Sequence, residues 1–142
     1  MSKVYLASDH GGFTLKEHIK GLLNNHQVED LGPFSEDSVD YPVFANKLAL
    51  AVLTNGGVGI GICGTGIGIS MALNRHAGIR AALCHSVETA KLTREHNDSN
   101  VLCLGGRVLS KELASEIVTA WLATEFSKAE RHSRRIAMLD VS

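Results

Sequence analysis

The segment VGIGICGTGIGISMALN, residues 58–74, constrains the fold of this chain more than any other stretch. Val58, Ile60 and Ile62 are β-branched and alternate with glycine, as a short buried strand does, and from residue 70 to 74 the pattern turns helical. Between the two lies Cys63-Gly64-Thr65-Gly66-Ile67-Gly68. A strand that turns through glycines into a helix aims backbone N–H groups, and the positive end of a helix dipole, at whatever lies above it. Such a turn binds anions. Thiols beside a helix N-terminus ionise more readily than free ones, so a cysteine placed here can act as a base or as a nucleophile.

The rest of the chain repeats the strand–loop–helix theme. Residues 3–8 (KVYLAS) read as a first strand, closed by Asp9-His10-Gly11-Gly12; Phe13, Leu15, Ile19, Leu22 and Leu23 then recur at helical spacing across 13–25. A short strand is expected over 28–31. A loop follows from Gly32-Pro33 through the polar run 35–40, and then a helix from Pro42 to about Leu53, stopped by Asn55-Gly56-Gly57. Residues 79–84 (IRAALC) and 101–104 (VLCL) are further strands. Ser86 caps a helix over 87–96 that His96-Asn97-Asp98-Ser99-Asn100 breaks, Ser110 caps a long helix with Ile117, Val118 and Trp121 on its apolar face, and 131–140 form a last, basic helix.

Alternation of this kind predicts an α/β fold: a three-layer, Rossmann-like, doubly wound parallel sheet of about five strands with helices on both faces. The 142 residues suit one domain spanning 1–142. Ligands of such sheets sit beyond the carboxyl ends of the strands. Asp9-His10, Cys63-Gly64-Thr65 and Gly105-Gly106-Arg107 each directly follow a strand, so they are expected to meet on one edge.

Composition narrows the partners. Fourteen lysines and arginines against fifteen acidic residues leave a formal charge of -1, so nothing points to nucleic acid or a membrane surface, and an anionic ligand must be held by a local cluster. No run approaches the roughly 18 apolar residues of a membrane span, and the N-terminus enters a strand without an apolar leader; the reading is a soluble, cytoplasmic protein. Cys63, Cys84 and Cys103 are odd in number and far apart, as reduced thiols are. With seven histidines and three cysteines a metal site is conceivable, but no spacing resembles a ligand set.

Several motif matches fail on context. Gly59-Ile60-Gly61-Ile62-Cys63-Gly64 fits GxGxxG by letter, yet most of it lies inside the strand and no acidic residue stands about 20 positions later. A P-loop requires a lysine that is absent, and a cysteine phosphatase an arginine six residues after the nucleophile, where Ile69 stands. Cys84 and Cys103, inside strands, read as small buried hydrophobes; Cys63, at a strand end before the glycines, reads as a functional thiol. His18, His26 and His76 read as solvent-facing, whereas His10 and His96 stand at element ends, where side chains reach pockets. Arg131 and Arg135 share a helical face with His132 and Arg134 nearby; they make either a solvated basic helix or a fork for a phosphate.

Taken together, Ala7-Ser8-Asp9-His10-Gly11-Gly12, Asp40-Tyr41-Pro42, Gly61-Ile62-Cys63-Gly64-Thr65-Gly66-Ile67-Gly68, the run Arg94-Glu95-His96-Asn97-Asp98-Ser99-Asn100-Val101 and Arg131-His132-Ser133-Arg134-Arg135 resemble the type B ribose-5-phosphate isomerases. That family includes galactose-6-phosphate and allose-6-phosphate isomerases, and the likeness runs along essentially the whole chain. The resemblance implies an aldose–ketose isomerisation without metal or cofactor. It implies Cys63 as the base that moves the C2 proton, the 64–68 amides and the Thr65 hydroxyl as the support of the enediolate, and His96 as the group that opens the sugar ring. It places Asp9 and Asn97 on the sugar and His10, Arg107, Arg131 and Arg135 on the phosphate. It also implies a homodimer with shared active sites, or a tetramer of such dimers. Two readings of other kinds stand beside it: a non-catalytic module that captures a phosphorylated ligand at the glycine turn, and a thiol redox protein, which the lack of a second cysteine near Cys63 weakens.

Overall fold

The computed structural model describes residues 3–140. Its strands are β1 (Val4–Ser8), β2 (Val28–Asp30), β3 (Val58–Cys63), β4 (Ala81–Leu83) and β5 (Val101–Gly105). Its helices are α1 (Phe13–Leu22), α2 (Tyr41–Asn55), α3 (Ile67–Leu73), α4 (Val87–Asn97), α5 (Lys111–Ala123) and α6 (Glu130–Ala137). The strands form one sheet in the order β2-β1-β3-β5-β4, and each neighbouring pair is parallel. This is the three-layer, Rossmann-like arrangement that the alternation predicts.

Side chains of a strand alternate between the two faces of its sheet, and here each face has its own core. Leu6, Ile60, Ile62, Leu102 and Leu104 point to one side, where α1, α4 and α5 cover them with Ile19, Ala90, Ile117 and Trp121. Tyr5, Ala7, Val101 and Cys103 point to the other, against Leu48 of α2 and Ile69 and Leu73 of α3. The glycine alternation of β3 belongs to this second face. A Cβ added at Gly59 would stand 2.8 Å from Leu48 Cδ1, so the glycine lets α2 lie close on the sheet. The letter match to a dinucleotide fingerprint thus has a packing cause.

Four departures from the sequence reading have physical reasons. Gly66, at φ +81, turns the chain so that α3 begins at Ile67 rather than at Ser70. A short 3₁₀ turn, His10–Gly12, follows β1, because Asp9 Oδ1 accepts the Gly12 N–H at 3.1 Å. His18 and His76 are half-buried and bonded rather than free in solvent: His18 Nε2 lies 2.8 Å from Ser115 Oγ, and His76 Nε2 2.8 Å from Asn46 Oδ1. The last helix also ends at Ala137 rather than at Asp140, and Asp140 instead accepts the Gly78 N–H at 2.9 Å. Among the described residues no helix is long and apolar enough to cross a membrane.

Candidate active site

From β1 the chain goes to β2 on one side and later returns as β3 on the other, so the carboxyl ends of β1 and β3 bound the crevice where doubly wound sheets bind ligands. Main-chain bonds assemble three loops there. Asp9 N donates to Ile62 O at 3.1 Å, Gly106 N to Cys63 O at 2.8 Å, and Arg107 N to Gly64 O at 2.9 Å. Asp9-His10, the cysteine turn and Gly105-Gly106-Arg107 therefore meet on one edge, as expected. The contacts are tight: a Cβ at Gly105 would stand 2.6 Å from Thr65 O, and one at Gly11 3.3 Å from the Arg107 guanidinium carbon.

Cys63 is 4% exposed, and its Sγ accepts the N–H of Gly66 at 3.1 Å. Thr65 Oγ1 accepts the N–H of Ile67 at 3.2 Å, and Thr65 itself stays exposed. Asp9, 8% exposed, has one oxygen engaged by Gly12. His10 Nδ1 accepts the Val39 N–H at 3.2 Å, so the neutral ring carries its proton on Nε2 and offers it as a donor. Tyr41, at the first turn of α2, lays its ring against Gly68, where an added Cβ would stand 2.7 Å from the ring. Sequence reasoning gave Tyr41 no place in the site; its only signal there is the Asp40-Tyr41-Pro42 motif.

His96, Asn97, Arg131 and Arg135 lie elsewhere. Helix α4 runs back towards the starts of the strands, so its last turn brings His96 and Asn97 to the amino edge of the sheet. Asn100 marks that edge, since its carbonyl accepts the N–H of Gly59 at 2.9 Å at the start of β3. The run from Gly59 to Cys63 alone spans about 13 Å, so one chain holds the two groups at opposite edges.

The amino edge is tied by side chains. Arg94 Nη1 donates to Asp98 Oδ1 at 2.9 Å and to Ser99 O at 2.6 Å, and its Nε donates to Thr124 O at 3.1 Å. The Trp121 indole donates to Ser99 Oγ at 2.9 Å. Helix α6 then sets His132 against His96, ring centroids 4.5 Å apart, above a cavity of about 230 Å³ lined by His96, Asn97, His132, Arg135, Ile136 and Leu139. Burial, and then the positive charges of Arg131, His96 and Arg135, hold the pKa of His132 below the usual histidine value. Cys84 and Cys103 are buried in the core, Cys103 in the same cluster as Cys63, and burial pushes both thiols up, as inert hydrophobes require. Among the described residues no three His, Cys, Asp or Glu side chains gather as metal ligands do.

A family model described as ribose/galactose isomerase matches residues 4–139. The chain belongs to that family. It is 47% identical over 140 residues to the ribose-5-phosphate isomerase B of Escherichia coli, covering 96% of this chain and 93% of the relative. The crystal structure of a ribose 5-phosphate isomerase from Thermotoga maritima superposes with a TM-score of 0.96 at 47% identity, covering 99% of both chains. The solved structure of Clostridium thermocellum ribose-5-phosphate isomerase B superposes at 0.94, with 45% identity and 97% and 95% coverage. The fold described above is thus that of the ribose-5-phosphate isomerase B structures, and the chain is an isomerase of this family.

Proposed function

We propose that this enzyme interconverts ribose 5-phosphate and ribulose 5-phosphate in the cytoplasm, through an enediolate and without metal or cofactor. The observation that carries the reading is Cys63, buried at the switch point with the Gly66 N–H on its sulphur. An amide aimed at sulphur supports the charge of a thiolate, the form able to take a proton from C2. The negative charge that develops on the sugar oxygens falls beside the amides of Gly64, Thr65, Gly66, Ile67 and Gly68 and the exposed Thr65 hydroxyl. The free oxygen of Asp9 bonds sugar hydroxyls, and the returning proton goes to C1.

His96 opens the furanose ring and Asn97 holds the sugar, while His10 Nε2–H, Arg107, Arg131 and Arg135 hold the phosphate. Binding that remote dianion fixes C2 against the thiol. This division of labour needs both edges of the sheet, which one chain keeps apart. It follows that a second copy, turned end over end, supplies the amino edge to the carboxyl edge of the first. The shared surface is the outer side of α2 and α3, where Val43, Leu50, Leu53, Ile67 and Met71 are exposed and apolar. The unit is a homodimer with shared active sites, and two such dimers can pair as a tetramer.

Incubation of ribulose 5-phosphate with the enzyme in deuterium oxide tests the reading. An isomerase of this mechanism washes label into C1, whereas a module that only binds sugar phosphates leaves the ketose unlabelled. Steady-state comparison of ribose 5-phosphate with allose 6-phosphate and galactose 6-phosphate tests the substrate. The pentose is expected to give the highest kcat/KM, and a preference for either hexose phosphate would replace it.

A further inference from the structure

His132 is the one buried residue of a helix whose other polar residues are exposed, at 7% exposure on α6. A leucine or phenylalanine would fill such a place without the cost of hiding a polar ring, so the ring nitrogens call for an explanation. One of them has a partner: Nδ1 lies 2.7 Å from Ser127 Oγ. Ser127 is itself fixed, since its N–H donates to Glu95 O at 3.1 Å and its hydroxyl accepts the Ala129 N–H at 3.2 Å. Glu95 is the chain neighbour of His96, and the His132 ring rests on the His96 ring at 4.5 Å with a tilt of 37°. The contacts therefore close a loop: Glu95 holds Ser127, Ser127 holds His132, and His132 meets the side chain next to Glu95.

His96 needs such a support. It stands exposed on the last turn of α4, where a free imidazole would sample several rotamers and lose them on binding. We propose that His132, anchored by Ser127, is the positioning residue of His96, holding its imidazole in the orientation that opens the sugar ring. The inference rests on the ring-opening role proposed above for His96. Burial and the neighbouring cations Arg131 and Arg135 disfavour a charge on His132, so a proton on His96 meets no second imidazolium stacked upon it.

The test separates ring opening from enediolate chemistry in the intact enzyme. His132→Asn removes the ring face. It is expected to lower kcat on ribose 5-phosphate about 10- to 100-fold with little change in KM, while deuterium wash-in to the open-chain ribulose 5-phosphate stays within about twofold. His132→Phe, which restores a ring face but not the bond to Ser127, is expected to keep a loss like that of Ser127→Ala. Ser127→Ala removes the anchor from outside the stack and should give the same split as His132→Asn in a milder form, even where His132→Asn itself fails to fold. Unchanged turnover of the aldose in His132→Asn, or wash-in that falls in step with it in the three variants, overturns the positioning role. Absence of wash-in from the unmodified enzyme would sink the isomerase mechanism itself, and the positioning role with it.

Discussion

The two edges of the sheet are built from different materials. At the carboxyl edge the loops after β1, β3 and β5 are joined by main-chain bonds and meet glycine to backbone, with the Cys63 sulphur held by an amide. At the amino edge the break after α4 is held by side chains: Arg94, Asp98, Ser99, Trp121 and Asn100. A backbone-built edge leaves no room for an added methyl, whereas a side-chain-built edge loses its bonds one at a time. In the function proposed above, the first carries the enediolate step, and the second carries the ring-opening His96 and two of the four side chains that hold the phosphate.

The largest expected effect lies at the carboxyl edge. Cys63→Ala should lower kcat by about 10³-fold or more while leaving the fold intact, because the residue is small and buried and its loss removes the proposed base. Turnover within tenfold of the unmodified enzyme would remove Cys63 from that role. The comparison sharpens when the two edges are damaged in separate copies. Cys63→Ala mixed with inactive His96→Ala under subunit exchange should regain about a quarter of the intact sites, since half of the dimers are mixed and each holds one complete site. Inactive mixtures despite proven exchange would mean that the edges do not share a site.

Next comes Gly105→Ala. The new methyl would meet Thr65 O at 2.6 Å, so the cysteine turn must shift, at a cost of about 1–3 kcal/mol in stability and about 100-fold in kcat. Denaturant midpoint and turnover should fall together. An unaffected kcat would show that the turn tolerates displacement. Arg94→Leu, its counterpart at the amino edge, should cost about 2 kcal/mol through its lost bonds to Asp98, Ser99 and Thr124, yet reduce turnover by less than tenfold. A larger catalytic than structural effect would reverse the contrast between the edges.

The carboxyl edge was also the more legible of the two. Glycines between a β-branched strand and a helix announce a turn, and alternation of strands and helices announces the sheet, because both patterns are local in the chain. The start of α3 at Ile67 was missed because it depends on the left-handed Gly66 and not on the apolar pattern. Lys16 has no signal in the apolar pattern of α1, yet it is fully buried, 2.6 Å from Asp30 across to β2. His132 was passed over on a basic helix for the same reason: its partner Ser127 and its neighbour His96 come together only in the fold. The opposite placement of His96 and Cys63 follows from chain direction alone, since a helix leaving one strand must run back to the start of the next.

The smallest expected effects are in acid, and they set the edges apart once more. Asp30 ends β2; burial pushes its carboxyl up, but the ammonium groups of Lys16 and Lys20 and the Gly32 N–H outweigh that and hold its pKa below the ordinary value. The unfolded chain therefore binds this proton more readily, so the stability Asp30 contributes is complete above about pH 4 and is lost as pH falls through its lower folded value. His132 is depressed too, and the same sign applies at a higher pH: its contribution is complete above about pH 6.5 and declines as the solution grows more acidic. Thermal midpoints measured from pH 7 downwards should thus fall in two stages, the amino edge yielding before the carboxyl edge. His132→Phe should flatten the first stage and leave the second, and Asp30→Asn the reverse. If His132→Phe keeps the slope of the unmodified enzyme between pH 7 and 5, the ring on His96 is not what acid loosens first, and the two edges answer to protons alike.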